Sequence, residues 1–392
     1  MKKVLVIGGG IGGMTAAACL LKRGIDVEVF EQATELGEVG AGIQLSANPM
    51  RVLRHLGLVT SLSATGVQPH SYQFKMFDSG DILQEIPLGK TYVERHGVPY
   101  LSVHRADLMD ALTGAVKMLK PDAITLNAKA TDFVEDGTGV TVSFANGREA
   151  RGDVLIGADG IKSMVRAKTL GQTPVNYTGD QSWRILVPAA RLEAHQRPDT
   201  VNICVGPGKH GVVYPVRHDG LVNMVGCVEY ATWDDENWTS RRPWTEMKSD
   251  FAGWHQNIQA IIDNADKDQC FRWAMNNRTP VTNWCTARTT LLGDAAHPSL
   301  PYMAQGGALA IEDGAIIARA LEQEKNVTGA VELYQRNRLD RTTRVVNESS
   351  ANRDMFHLPS EAALRDAFSK RDMNAERTAW LFSYDPMTVE LH

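Results

Sequence analysis

Cysteine is scarce and scattered: Cys19, Cys204, Cys227, Cys270 and Cys285 are the five, and none forms a Cys-x-x-Cys pair. That spacing offers no redox dithiol, no structural zinc set and no disulfide framework, so a reducing, cytoplasmic setting is expected. His297 has no ligand-spaced partner, and no metal site is expected. Long apolar runs are missing too. No stretch approaches the roughly 18 apolar residues of a membrane span, and four apolar residues after Met1-Lys2-Lys3 make no secretion signal. Positive charge is not in excess either. Lys+Arg 41 against Asp+Glu 46 gives a net charge of -5, which removes the electrostatic case for nucleic acid. Repeats and low-complexity tracts are absent. What remains, at 43% hydrophobic, can bury a large core as two domains or as one with an excursion.

The N-terminus is the most informative stretch. In "VLVIGGGIGGMTAAACLLKRGIDVEVFEQ", Val4 to Ile7 reads as a strand buried on both faces of a parallel sheet. Gly8, Gly10 and Gly13 have the G-x-G-x-x-G spacing around Ile11 and Gly12, and a helix follows from Met14. Gly8 permits the tight turn, Gly10 lets backbone approach a pyrophosphate, and Gly13 allows close helix–sheet packing. The helix N-terminus presents N–H groups and partial positive charge to phosphate. Glu31, eighteen residues after Gly13, ends the next strand. Its carboxylate suits ribose hydroxyls. The same glycine spacing recurs in "GPGKHG" at 206–211, but it leads into the strand-like "VVYPVR" rather than a helix. It is read as a hairpin turn with His210 exposed beside it.

Two further stretches end a strand in Gly and Asp. "DVLIGADGIKSMVR" runs from a strand into Asp159-Gly160, and "LLGDAAHPSLPYMAQGGALAIEDGAIIARAL" runs through Asp294 to a helix opened by Gly306 and Gly307. These three motifs, in this order, resemble those of the single-component FAD-dependent aromatic hydroxylases, a group that includes salicylate hydroxylase and 6-hydroxynicotinate 3-monooxygenase. The likeness extends to about residue 340. It implies FAD as cofactor, NADH or NADPH as transient reductant without its own Rossmann domain, and O2 as co-substrate. It implies hydroxylation of a small hydroxylated aromatic or pyridine carboxylic acid through a flavin C4a-hydroperoxide, in aromatic catabolism. Alternatives are a related monooxygenase acting on a non-aromatic or polycyclic substrate, a flavin-binding protein that does not hydroxylate, and a reductase with two dinucleotides. The benzene or pyridine ring, the hydroxylated position and the nicotinamide stay open.

The expected fold is α/β: a discontinuous Rossmann-like FAD domain (1–72, 98–180, 271–340), an inserted antiparallel-sheet substrate domain (73–97, 181–270) and C-terminal helices (341–392). "PWTEMKSDFAGWHQNIQAIIDNA" is expected to add a helix or two. The C-terminal segment is expected to form a surface cap or a homodimer contact. By resemblance, Gly8, Gly10, Gly13 and the loop residues Ile11 and Gly12 hold the pyrophosphate, and Glu31 the adenosine ribose. Arg105 contacts the ribityl or phosphate region, Ala130 the adenine through backbone, and Asp159 both FAD and the nicotinamide. Asp294 bonds a ribityl hydroxyl, and Gly306 and Gly307 leave room for the ring while helix N–H groups face its developing negative charge. Tyr214 stands where related enzymes face the substrate, Arg184 is a candidate partner for a substrate carboxylate, and the Pro298 backbone faces the site of oxygen transfer. Tyr302 and Gln44 stand where the 6-hydroxynicotinate enzymes have histidines. A small aromatic molecule is the expected partner, with no nucleic acid and no membrane.

Overall fold

The computed structural model describes residues 2–37, 42–232 and 240–392. Its first layer is a five-stranded parallel sheet in the order Thr289–Leu291, Val154–Gly157, Lys3–Ile7, Asp26–Phe30, Ile124–Thr125. The Val-, Leu- and Ile-rich central strands are buried on both faces, as a sheet covered by helices requires. The helices Ile11–Lys22 and Gly306–Gln323 cross at close range beside it. A Cβ on Gly314 would lie 2.7 Å from the Ala16 backbone nitrogen, so only a glycine fits at that crossing. A three-stranded antiparallel sheet (Ala130–Glu135, Val140–Phe144, Glu149–Gly152) is appended at the edge.

The second layer is a seven-stranded sheet in the order Phe271–Asn277, Asn176–Pro188, Leu221–Glu229, Lys209–Arg217, Val201–Gly206, Ser71–Met76, Ile82–Pro87. It differs from the antiparallel expectation in one pair, Val201–Gly206 with Ser71–Met76, which is parallel. The strand Phe271–Asn277 joins this sheet rather than the nucleotide sheet, and Asn176–Pro188 runs unbroken past residue 180. The expected boundaries at 180 and 270 therefore fall within or beside strands of one ladder. "GPGKHG" is the two-residue hairpin expected, with Gly206 opposite Lys209 and Gly208 at φ 65°. His210, however, is 2% exposed. Strand alternation carries it to the inner face, two pleats from Tyr214, and overrides its nearness to the turn.

The two faces of this sheet have different neighbours. Trp183, Ile185, Val213 and Met224 pack outward on Met247, Phe251, Trp254 and Ile258, from and beside the helices Trp244–Asp250 and Gln256–Asp263. Tyr72, Phe74, Ile203, Tyr214 and Cys227 face inward and merge with the core of the nucleotide layer. The middle of the inward face is only partly buried, at Arg184, Leu186, Val212 and Val225. No helix among the described residues is long and apolar enough to cross a membrane.

The C-terminal region is helical, but its boundary is not at 341: one helix runs unbroken from Val327 to Phe356. The aromatic tail is not a free surface. Leu381 and Phe382 are buried, and Arg51 donates to the carbonyls of Phe382 (2.7 Å) and Tyr384 (2.9 Å). The long helix is bound to the nucleotide layer by an ion cluster whose centre, Glu312, Asp313 and Arg338, has no solvent access. Arg338 reaches Glu312 and Asp313, each at 2.7 Å, and Arg341 reaches Glu312 at 2.7 Å. Removing one member strands the others in a dry interior. Arg338→Met is therefore expected to destabilise the protein by about 3–5 kcal/mol, read as a large fall in melting temperature. Acid acts on the same cluster. Burial alone would raise the Asp313 carboxyl, but His297 and Arg338 more than reverse this and hold it at about 2, below its ordinary 3.8. Its contribution is full above pH about 4 and drains as pH falls towards 2. Acid unfolding monitored in wild type and in Asp313→Asn should differ in that window; superimposable curves would remove Asp313 from the account.

Candidate active site

Two helices open on one cleft. The helix Ile11–Lys22 starts at Gly10 and the helix Gly306–Gln323 at Gln305, and neither has a side-chain cap on its first N–H groups. Such bare ends favour anionic groups. They lie side by side: a Cβ on Gly307 would meet Ile43 at 2.7 Å and Ile11 at 3.8 Å. Gly8 takes φ 108°, and a Cβ there would strike the Ala158 carbonyl oxygen at 2.3 Å. Gly13 packs against the Gly8 carbonyl, where a Cβ would sit at 2.0 Å. A Cβ on Gly10, by contrast, would meet nothing within 4 Å. The loop is thus tight behind and open in front, as pyrophosphate contact requires. Gly12 does something else. Its Cβ position faces Leu292 at 2.6 Å and Ala310 at 3.2 Å, so it serves the packing of the two helices.

Glu31 follows the second strand. Its carboxylate accepts from the backbone nitrogens of Gly9 (2.7 Å) and Ala33 (2.8 Å), which fixes the glycine loop beside it. Ala130 begins the appended sheet, half-buried. Asp159 caps a helix: it accepts from Ser163 Oγ (2.5 Å) and from the backbone nitrogens of Met164 (2.8 Å) and Val165 (3.1 Å). Burial raises its carboxyl, and these bonds only partly offset that. The structure therefore gives Asp159 a local duty at the start of Met164–Leu170.

The loop after the last parallel strand is held from behind. Asp313 accepts from the Gly293 nitrogen (2.8 Å) and contacts His297 Nε2 (2.7 Å). Asn48 donates to Gln305 (2.9 Å) and Glu312 (2.5 Å), and Gln305 donates to Ser46 Oγ (3.1 Å). Ala304 is left-handed at φ 55°, a conformation that non-glycine residues seldom keep without such support. Asp294 is exposed between the buried Gly293 and Ala295, and Pro298 is buried. Of the supporting residues, the sequence pattern places Gln305 at the helix start but does not single out Asn48, Glu312 or Asp313. For Glu312 and Asp313, acidic character inside the apolar helix Gly306–Gln323 is the signal.

Across the cleft, the strand Gly42–Leu45 pairs with Leu101–His104, which sets Gln44 opposite Ser102 and leads directly into Arg105. The buried Tyr100 donates to Gln44 Oε1 at 2.7 Å, and the same strand packs on Tyr214: a Cβ on Gly42 would lie 2.8 Å from the Tyr214 hydroxyl. Burial raises Tyr214 to about 12, although Arg184 and Arg105 lie near enough to pull it back in part. Gln44, Arg105, Arg184 and Tyr214 are thus brought together. Arg184 stacks on Trp273 at 4.1 Å from the ring centroid.

Tyr302 belongs elsewhere. Its hydroxyl donates to the buried Asp180 at 2.5 Å, and Arg353 holds the same carboxylate through bonds of 2.9 and 2.8 Å. His210, its neutral form favoured by burial, packs against Tyr302 and bonds His357 at 2.9 Å. The substrate contact expected of the Tyr302 hydroxyl gives way to this inward bond.

A glycine loop open in front, two uncapped helix ends, and an acidic residue after the second strand define a dinucleotide-binding flavoprotein, and the residues present fit FAD. The chain belongs to the FAD binding domain family, whose model matches residues 1–349. It is similar to 3-amino-4-hydroxybenzoate 2-monooxygenase PtmB3 of Streptomyces platensis, 36% identical over 390 residues, covering 99% of this chain and 97% of that one. It is likewise similar to 6-hydroxynicotinate 3-monooxygenase of Pseudomonas fluorescens, 35% identical over 398 residues, covering 99% and 96%. Among solved structures, Klebsiella pneumoniae HpxO complexed with FAD and uric acid aligns with a TM-score of 0.84 at 29% identity, covering 96% and 94%. The protein is a FAD-dependent monooxygenase.

Two outcomes follow for single residues. If Asp294 bonds a ribityl hydroxyl, as the resemblance implies, Asp294→Ala should lose about 1.5–3 kcal/mol and raise the FAD dissociation constant roughly tenfold to a hundredfold; an unchanged flavin-fluorescence titration would exclude Asp294. Tyr302→Phe leaves Asp180 with Arg353 alone and should cost about 1–3 kcal/mol, read as a lower melting temperature.

Proposed function

We propose that the protein hydroxylates a small aromatic or pyridine carboxylic acid that already carries a ring hydroxyl, using NADH or NADPH as a transient reductant. The observation that carries this reading is the gathering of polar groups on the inner sheet face: Gln44, held by Tyr100 at 2.7 Å, with Tyr214 packed on the same strand and Arg184 near it. The named substrates of the relatives, 3-amino-4-hydroxybenzoate and 6-hydroxynicotinate, share a ring hydroxyl and a carboxylate. FAD, when bound, supplies electron transfer from the nicotinamide and activation of O2. The residues of the chain do the rest. Gly8, Gly10 and Gly13 with Glu31 would hold the nucleotide end, and Arg105 and Asp294 the middle. Tyr214, kept as a neutral phenol by burial, orients the ring hydroxyl by hydrogen bonding and does not act as a phenolate base. Five unpaired cysteines support a cytoplasmic setting.

The reading is tested by screening hydroxybenzoates and hydroxypyridine carboxylates for stimulated NAD(P)H oxidation, with products identified by mass. Failure of every such acid to yield a hydroxylated product would sink it. Tyr214→Phe keeps volume and removes only the hydroxyl. NAD(P)H consumption should continue while hydroxylated product falls roughly tenfold or more and H2O2 rises. Unchanged coupling would reduce Tyr214 to packing.

A further inference from the structure

The strand Asn176–Pro188 is interrupted by a bulge. Tyr177 pairs with Asn276 and Gln181 with Ala274, so the stretch from 177 to 181 faces only the stretch from 276 to 274. Gly179, at φ 83°, supplies the left-handed residue within it. Beyond the bulge, Asp180 has no accessible surface and lies directly opposite Glu229 on the next strand. Two carboxylates opposed across a ladder destabilise it. Arg353 reconciles them: its Nε and Nη2 reach Asp180 at 2.9 and 2.8 Å, and Nη2 lies 3.3 Å from Glu229. Pairing within the sheet gives no reason for a buried carboxylate at this point. What that carboxylate reaches is Tyr302, whose hydroxyl donates to it at 2.5 Å.

Tyr302 is the middle residue of the turn Pro301–Met303, and the chain passes from it through the left-handed Ala304 and Gln305 to the helix start at Gly306. The long helix Val327–Phe356 grips this turn from two residues one helical turn apart. Ser349 Oγ donates to the Leu300 carbonyl at 2.6 Å, and Arg353 holds Asp180. From the seven-stranded sheet, His210 packs its ring on that of Tyr302, 4.9 Å between centroids. The hydroxyl bond to Asp180 therefore fixes the cofactor loop to the sheet. The influence of a helix start falls off within its first turn, so a small displacement of Gly306 changes its effect on a charge in front of it.

We propose that Asp180 is a positioning residue for the cofactor: through Tyr302 it sets where the helix start at Gly306 stands against the flavin. It thereby sets how far the protein favours reduced, negatively charged flavin over oxidised flavin. This rests on FAD binding and on the loop facing the flavin, and is independent of the aromatic-acid reading.

The test uses the FAD-loaded full chain with Asp180→Asn, Tyr302→Phe, the two combined, and Tyr230→Phe. Tyr230 is a matched control, because its hydroxyl donates to Asp250 at 2.6 Å and it packs on the cluster at the outer face of the same sheet. The two-electron midpoint potential is measured by equilibration with reference dyes, together with the flavin absorbance and the melting temperature. Asp180→Asn and Tyr302→Phe should each cut the preference for reduced flavin about tenfold, a shift of about 30 mV to more negative potential, and should alter the flavin absorbance. The combined variant should move no further than either alone. Tyr230→Phe should lower the melting temperature with the potential unchanged. The sign separates positioning from charge, since loss of the Asp180 charge by itself favours negative flavin and moves the potential positive. A positive shift in Asp180→Asn with none in Tyr302→Phe overturns the proposal, as does an unchanged potential with a fallen melting temperature in both. Additive shifts in the combined variant show that Asp180 does not act through Tyr302, and also overturn it. An equal shift in Tyr230→Phe assigns the effect to general loosening and does the same. If Asp180→Asn fails to retain FAD, Tyr302→Phe decides alone: the negative shift upholds the proposal and an unchanged potential overturns it.

Discussion

Glu312, Arg338 and Asp313 form a charged cluster with no water to share, and the cofactor loop depends on it. Asp313 spends one oxygen on Arg338 and the other on His297 and the Gly293 nitrogen. Glu312 reaches Arg341 and Asn48, and Asn48 reaches Gln305. Three distant stretches are locked by one set of charges: the start of the helix Ala47–His55, the loop from Gly293 to Gly307, and the long C-terminal helix. The strained Ala304 persists inside that frame. Buried ions of this kind contribute little net stability against an apolar substitute, but they penalise every arrangement that separates them. Here the arrangement they specify is the shape of the loop.

A second constraint is the unequal covering of the seven-stranded sheet. Its outer face is closed by two short helices and a tryptophan-rich cluster. Its inner face merges with the nucleotide layer at Tyr72, Phe74, Tyr214 and Cys227, which are buried. Arg184, Val212 and Val225 are only partly buried at the centre. Polar groups placed there, such as the Gln44 amide and the Tyr214 phenol, meet a ligand in surroundings where hydrogen bonds are strong and misplaced ones are costly.

Local chemistry was legible in the sequence. The Gly8–Gly13 loop, the hairpin at 206–211, the two helices between 244 and 263 and the helix opening at Gly306 all rest on neighbouring residues, and all are where the pattern put them. What the pattern missed depends on partners far away in the chain. His210 looked exposed because a turn precedes it, yet its strand is central and its ring meets His357. Tyr302 looked catalytic because of its loop, yet Asp180 lies beneath it. Asp159 is a helix cap, which a motif shared with cofactor binding concealed.

The clasping of the tail by arginines has a consequence for the order in which the molecule is made. Arg51 binds carbonyls at Phe382 and Tyr384, and Arg319 binds those at Pro386 and Val389. Contacts such as those of Arg51, which span most of the chain, carry a large loop-closure term and form late. The glycine loop and the strands beside it are made long before residues 382–389, so this segment docks, through Arg51 and Arg319, onto a layer already begun.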